Sequence, residues 1–272
     1  MIIWLASYPK SGNTWMRSLI STYLTNSFEN PLINIYKISA FPKKEFFKDL
    51  IDENTLKKKP HKIFKYFIQA QEKYNLNKKL RFLKTHNAWI SVEKNGFTDV
   101  NNTLGSIYLI RDPRSVLVSY SHHANLDFEK SLDVMLKKDF MGINDNFYLE
   151  ARSSWNLHVK TWISNPLPKI IIKYEDLIKN TYGEFLKVLK FINTLNSVKI
   201  IIDETRIHKT IKACSFDNLS HHEKKFGFKE ALHDKEFFRK GQISEWEKKL
   251  PMLLINKINK EFKNEMKIFN YL

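Results

Sequence analysis

The sequence predicts an α/β fold with a central parallel β-sheet flanked by helices, and three observations carry that prediction. Short apolar runs of strand length alternate along the 272 residues with segments of helical periodicity. The runs are continuously apolar, as strands covered on both faces require. The composition is 43% hydrophobic and 14% aromatic, which excludes a disordered chain. Only seven glycines are present, which argues against collagen-like, propeller and glycine-linker architectures. A chain of this length can bury one large core without disulfide or metal support. The expectation is one domain over residues 1–272.

The elements follow in order. Ile2, Ile3, Trp4, Leu5 and Ala6 form a buried strand that ends at Ser7-Tyr8-Pro9. After Gly12, Trp15, Met16, Leu19, Ile20, Tyr23 and Leu24 recur at helical spacing. Residues 28–80 are lysine-rich and broken by prolines, with a helical patch at Phe64, Phe67 and Ile68; they read as a peripheral helical insertion. Residues 81–86 form a second strand and residues 106–110 a third. Val116, Val118 and Tyr120 alternate as a strand would. Pro113 suits a first helical turn, however, and a strand has just ended, so a helix is predicted there. Residues 169–174 are the fourth strand, followed by a helix through Phe185, Leu186 and Leu189. A last helix from about Pro251 places Leu253, Leu254, Ile258, Phe262 and Met266 on its buried face. In sheets of this kind ligands sit beyond the carboxyl ends of the strands, so functional residues should follow strands.

Charge and composition narrow the function. Lysine and arginine number 45 against 29 acidic residues, a net charge of +16, and only seven of the cations are arginines. That excess fits either a surface for polyanions or a lysine-biased, solvated exterior. No helix-turn-helix pattern and no interleaved RNA-binding aromatics accompany it, so no nucleic-acid partner is expected. The lone Cys214 excludes an internal disulfide framework and a Cys-built zinc cluster. Pro9-Lys10 interrupts the apolar start too early for an export signal, and no run nears the ~18 apolar residues of a membrane span. A cytoplasmic protein without integral membrane association is expected.

Four segments carry chemistry. Ser7-Tyr8-Pro9-Lys10-Ser11-Gly12-Asn13-Thr14-Trp15 joins the first strand to the first helix, where free backbone N–H groups and the positive helix end favour an anion. Lys10 adds a cation, Ser11 and Thr14 add hydroxyls, and Gly12 permits close backbone approach. It differs from a Walker A loop, in which the glycine precedes the lysine. Arg111-Asp112-Pro113-Arg114-Ser115 follows the third strand and continues to Ser119. Arg111 offers a fork of donors to a phosphate, and Ser119 lies two helical turns further on. Lys84-Thr85-His86 ends the second strand, and an imidazole there can take a proton near neutrality. Phe238-Arg239-Lys240-Gly241 places two cations before a glycine, which suits phosphate contact by side chains and backbone together. Each segment alone also has an ordinary structural reading.

Together they resemble the sulfotransferases that use 3′-phosphoadenosine-5′-phosphosulfate (PAPS). Tyr8 to Trp15 looks like that family's 5′-phosphosulfate loop, with Asn13 where threonine is usual. Arg111 and Ser119 match its 3′-phosphate motif, with Ser115 where an acidic residue is more common. Lys84-Thr85-His86 resembles the segment of its catalytic base, although Asn87-Ala88 replaces Leu-Pro. Arg239, Lys240 and Gly241 resemble its late Arg-Lys-Gly loop, here followed by Ser244-Glu245-Trp246 instead of Gly-Asp-Trp. Tyr174-Glu175-Asp176 and Ser215-Phe216 are weaker matches near the nucleotide, with Trp15 expected against the adenine. The resemblance implies a P-loop NTPase-like three-layer sandwich and sulfuryl transfer to an acceptor hydroxyl, or less favourably an amine. It makes His86 the base, and Lys10, Lys84 and Ser119 further catalytic residues. The donor would be held by Lys10, Ser11, Gly12, Asn13, Thr14, Trp15, Arg111, Ser119, Tyr174, Ser215, Phe216, Arg239, Lys240 and Gly241. No metal is implied, since lysine supplies the positive charge.

The acceptor stays open among small phenols, glycans, lipids and peptide tyrosines. Residues 28–80 and 121–150 are expected on the acceptor side, with Phe46, Phe47, Phe140 and Phe147 available, and residues 214–246 as a lid-like segment. A homodimer is an open expectation. His122-His123 and His221-His222 do not complete a metal site, and Glu175-Asp176 does not suit a glycosidase pair. Two alternatives remain at this point: a P-loop nucleotide-dependent kinase and a non-catalytic polyanion-binding protein.

Overall fold

The computed structural model describes residues 1–143, 148–195, 199–231, 236–238 and 241–272. Five strands form its central sheet: β1 (Ile2–Ser7), β2 (Ser39–Ala40), β3 (Arg81–Thr85), β4 (Thr103–Ile110) and β5 (Lys169–Lys173). Their order is β2-β3-β1-β4-β5, and every neighbouring pair is parallel.

The side chains of β1 explain the layering. Ile2, Trp4 and Ala6 enter one core, and Ile3 and Leu5 enter the other. β4 repeats the alternation, with Tyr108 and Ile110 on the first face and Ile107 and Leu109 on the second. Every residue of β1 is buried, so a continuous apolar run is the pattern its position demands. The second core is closed by α1 (Asn13–Thr25), through Met16, Leu19 and Ile20, and by a later helix carrying Phe185, Val188 and Leu189. The first is closed by α2 (Pro113–Ala124) and α3 (Trp155–Ser164), through Val116, Leu117, Trp155 and Trp162. The remaining helices used below are α4 (Tyr174–Lys179), α5 (Thr181–Thr194), α6 (Glu204–Ala213), α7 (Phe216–Phe226), α8 (Glu245–Lys249) and α9 (Met252–Glu261).

The segment from Pro113 is helical, as its proline predicts. Asp112 caps it, its carboxylate accepting from Arg114 N at 2.9 Å, and Pro113 occupies the first turn without sacrificing a donor.

Three expectations need correction. Residues 28–80 contribute the edge strand β2 as well as helices, and Phe41, Phe46, Phe47 and Phe67 bury their rings in the first core, Phe41 against Trp4 and the other three against Phe41. The segment is therefore part of the core. Two-residue strands such as β2 are too short to show alternation in sequence. In the last helices Leu254, Ile255, Ile258, Phe262 and Met266 are buried, whereas Leu253 is 79% exposed. The buried stripe is anchored on Leu254 and Ile258, four residues apart, and Leu253 stands ~100° off it. β4 also begins at Thr103, three residues before the apolar run, because Thr103 pairs with Ile2 of β1; its Oγ1 accepts from Trp4 Nε1 at 2.9 Å.

Candidate functional site

Parallel pairing puts the carboxyl ends of three central strands side by side. Ala6 pairs with Thr85, and Ser7 with Leu109. The loop after β1, His86 after β3 and Arg111 after β4 therefore leave the sheet along one edge. A cavity of about 400 Å³ opens there. Lys10, Gly12, Asn13, Thr14, Trp15, Lys84, His86, Arg111, Ser119, Tyr174, Ser215, Phe216 and Gly241 all line it. Ser11 does not: it is fully buried and its Oγ has no hydrogen-bond partner. Arg239 and Lys240 lie outside the described residues.

The loop conformation is specific. Lys10 has φ 67° and Gly12 φ 96°, so two residues of the turn are left-handed. A Cβ on Gly12 would also lie 2.6 Å from Tyr174 Cδ2, which excludes any larger residue without movement of that ring. The Asn13 amide donates to Leu5 O at 3.1 Å and Ser7 Oγ at 3.2 Å. Its NH₂ is thus used to tie the loop to β1, while Asn13 Oδ1 remains buried without a partner. Gly241 has φ 60°, and a Cβ there would lie 2.7 Å from Phe216 Cδ2.

Arg111 reaches across the edge. Its Nη1 donates to Lys10 O and its Nη2 to Gln242 O, each at 3.1 Å, and its guanidinium lies 4.3 Å from the Tyr174 ring centroid. Arg111 Nε is buried with no partner. A buried N–H without an acceptor is costly, so the site suits an anion at this position. Ser115, in the first turn of α2, donates from Oγ to Ile243 O at 2.6 Å. Trp15 and Tyr174 meet in a T-shaped pair, and Trp15 donates from Nε1 to Cys214 O at 2.9 Å. Ser215 Oγ accepts from Asn218 N and caps α7, which leaves the hydroxyl proton for a ligand.

His86 is half-buried, with Nδ1 2.7 Å from Ser7 O. A carbonyl accepts only, so Nδ1 carries the proton and Nε2 keeps its lone pair. Burial, followed by the charges of Lys84 and Arg152, pushes the imidazole pKa well below its ordinary value, so it is neutral near pH 7. The His86 segment is fixed from two sides. Glu150 Oε1 accepts from His86 N at 3.3 Å, and Asn87 Oδ1 accepts from Ala151 N at 2.8 Å. Asn87 O also accepts from Trp162 Nε1 at 2.8 Å. Asn87 is therefore a structural tie in the wall behind His86.

Sequence reasoning covered His123 only through the broad acceptor-side stretch 121–150 and missed Tyr120, Arg152, Glu230 and Phe237; all five line the cavity. Arg152 pairs with the buried Glu150 at 2.9 Å. Glu230 accepts from Arg17 Nη1 at 2.5 Å and from Thr14 Oγ1 at 3.1 Å. Burial alone would raise its pKa, but Arg17 and Lys84 outweigh that and bring it down to about 2. Lys10 Nζ lies 3.9 Å from the Phe237 ring centroid, and the Glu223 carboxylate accepts from Phe237 N and Phe238 N at 2.6 and 2.8 Å. Tyr120 is adjacent to Ser119 in its motif; the other four have no motif in the sequence to mark them.

From the expected acceptor side, His123 lines this cavity, and no described residue of 28–80 does. Phe46 and Phe47 are core residues, and Phe147 lies outside the described residues. Lys44, Glu53, Leu56, Lys57, Pro60 and Ile63 instead border a separate hollow of about 300 Å³. Among the described residues no group of three His, Cys, Asp or Glu side chains is arranged to hold a metal. No helix among them is long and apolar enough to cross a membrane.

Comparison with known proteins places this sequence beside sulfotransferases. The profile of the family described as "Sulfotransferase domain" matches residues 2–270. Cytosolic sulfotransferase 13 of Arabidopsis thaliana is 26% identical over 276 residues, covering 96% of this chain and 76% of the relative. Flavonol 3-sulfotransferase of Flaveria bidentis is 25% identical over 276 residues, covering 95% and 79%. Among solved structures, retinol dehydratase in a complex with retinol and PAP superposes with a TM-score of 0.65 at 19% identity, covering 98% of this chain and 81% of that one. That likeness concerns the fold.

Proposed function

The chain belongs to the sulfotransferase domain family, and on that premise we propose that it moves a sulfuryl group from PAPS to a hydroxyl of a small-molecule acceptor. The observation that carries the proposal is the single cavity onto which the loop after β1, His86, Arg111 and Ser119 converge. The buried, unpaired Arg111 Nε and the left-handed loop at Lys10 and Gly12 fit a ligand with phosphates at two ends. A flavonol sulfotransferase among the relatives and a retinol-bound structure among the neighbours favour a small acceptor with one hydroxyl presented to the base.

The donor supplies the sulfuryl group and leaves as adenosine 3′,5′-bisphosphate (PAP). His86 Nε2 takes the acceptor proton as the new S–O bond forms, with its tautomer fixed by Ser7 O. Lys10 and the loop N–H groups, with Thr14, stabilise charge on the phosphate oxygen released when the old S–O bond breaks. Lys84, at the end of β3, faces the same space and stabilises the transferring group. Arg111 and Ser119, two turns apart on and before α2, hold the 3′-phosphate, and Trp15 and Phe216 flank the adenine. These are in-line positioning and electrostatic stabilisation, the same problem as phosphoryl transfer. The kinase and polyanion-binding readings lose ground to the family match. A location in the cytoplasm is in keeping with relatives described as cytosolic.

The test is transfer of labelled sulfate from PAPS to a panel of phenols, flavonols, steroids and amines. Transfer to none of them, with PAP binding absent in calorimetry, would sink the reading.

A further inference from the structure

We propose that Glu175 and Tyr271 are positioning residues for recognition of the donor's 3′-phosphate, acting through Arg111 and the first turn of α2. The inference rests on the donor reading above. Neither residue lines the cavity, so neither is a binding group itself.

A guanidinium grips a phosphate only as well as the backbone beneath it is placed. The backbone N–H next to Arg111, that of Asp112, donates to Glu175 Oε1 at 3.0 Å. The other carboxylate oxygen of Glu175 accepts from Tyr271 Oη at 2.9 Å. Glu175 is buried, and it joins one point of the 3′-phosphate turn to the last residues of the sequence. Tyr271 reaches that turn by a second route. Its carbonyl accepts from Arg114 Nη2 at 2.8 Å, and Arg114 is in turn paired with Asp112 at 2.6 Å. The Arg114 guanidinium also stacks 3.9 Å from the Trp246 ring on α8, beside the Gln242 and Ile243 carbonyls that Arg111 and Ser115 engage. Lys173 at the end of β5 secures the tail, donating from Nζ to Phe269 O at 2.6 Å and lying 4.6 Å from the Tyr271 ring.

Residues 111–115 are thus gripped from one side by the chain end and from the other by residues 242–246. Burial and the Glu175 charge hold the Tyr271 phenol in its protonated, donating form. Removing that hydroxyl leaves one oxygen of a buried carboxylate without its donor and frees the turn to shift under Arg111.

The experiment compares two nucleotides that share a 5′ end. Calorimetric Kd values for PAP and for adenosine 5′-monophosphate are measured with wild type, Tyr271→Phe and Glu175→Gln, alongside thermal unfolding. The expected result is a PAP affinity about five- to tenfold weaker, with adenosine 5′-monophosphate affected less than about twofold. A parallel loss for both nucleotides, or an unchanged PAP affinity, overturns the inference. Should Tyr271→Phe not fold, Glu175→Gln decides, since it keeps an acceptor for Asp112 N. Wild type binding both nucleotides equally would overturn the donor reading, and this inference with it.

Discussion

The two ends of the cavity are built by different means. The end at the β1 loop is shaped by main chain: Lys10, Gly12 and Gly241 take left-handed conformations, and Arg111 is held by the Lys10 and Gln242 carbonyls. The end around His86 is shaped by charged side chains brought from afar, with Glu150 on its backbone and Arg152 nearby. The first kind of construction depends on local spacing. The second depends on the whole fold.

The largest expected effect separates the two ends outright. His86→Ala should lower sulfate transfer about 10²- to 10⁴-fold while PAP affinity stays as in wild type. Unchanged transfer would remove His86 as the base. Gly12→Ala should damage the loop end instead, because the new Cβ meets Tyr174 at 2.6 Å in a left-handed conformation. A loss of about 1–3 kcal/mol in denaturant unfolding, together with weaker PAP binding, is expected.

Glu230 sits where the two ends meet, and Glu230→Gln probes it through pH. Its folded pKa is lowered from 4.5 to about 2, so its stabilisation is fully present above pH 4.5 and is lost as pH falls towards 2. The stability gap between wild type and variant, about 1–3 kcal/mol at pH 7, should therefore close across that window in denaturant titrations. A gap independent of pH would show that the carboxylate charge is not what Arg17 and Lys84 hold. The smallest effect near neutrality belongs to Arg152→Gln. Arg152 disfavours protonation of His86, so its loss should move the acid limb of the rate–pH profile upward. A downward shift would contradict that coupling.

This contrast explains what the sequence made legible. The β1 loop, the Lys84-Thr85-His86 strand end and the Arg111 turn are contiguous segments, and each follows a strand as its spacing indicates. Pro113 decided the helix that alternation alone left ambiguous. The Asn13 amide is used in the fold, on Leu5 and Ser7, because a residue type reveals hydrogen-bonding capacity and not its partner. Arg17 and Glu230 stand 213 positions apart, and no local pattern announces a pair that only tertiary structure assembles. Phe46 and Phe47 looked available for an acceptor because an aromatic cluster reads the same in a pocket wall as in a core. A two-residue strand just before them pairs with β3, and both rings lie in the first core.

The lone cysteine gives this architecture a built-in chemical reporter. Cys214 is fully buried, its sulfur accepts from Ser18 Oγ at 3.1 Å, and burial pushes its thiol pKa up to about 11. Thiol reagents act on the thiolate, so alkylation of the native protein should be slow at neutral pH. Its carbonyl holds Trp15 and its neighbour Ser215 caps α7, both in the cavity wall. The rate of alkylation therefore times the opening of that wall, without a label or a mutation.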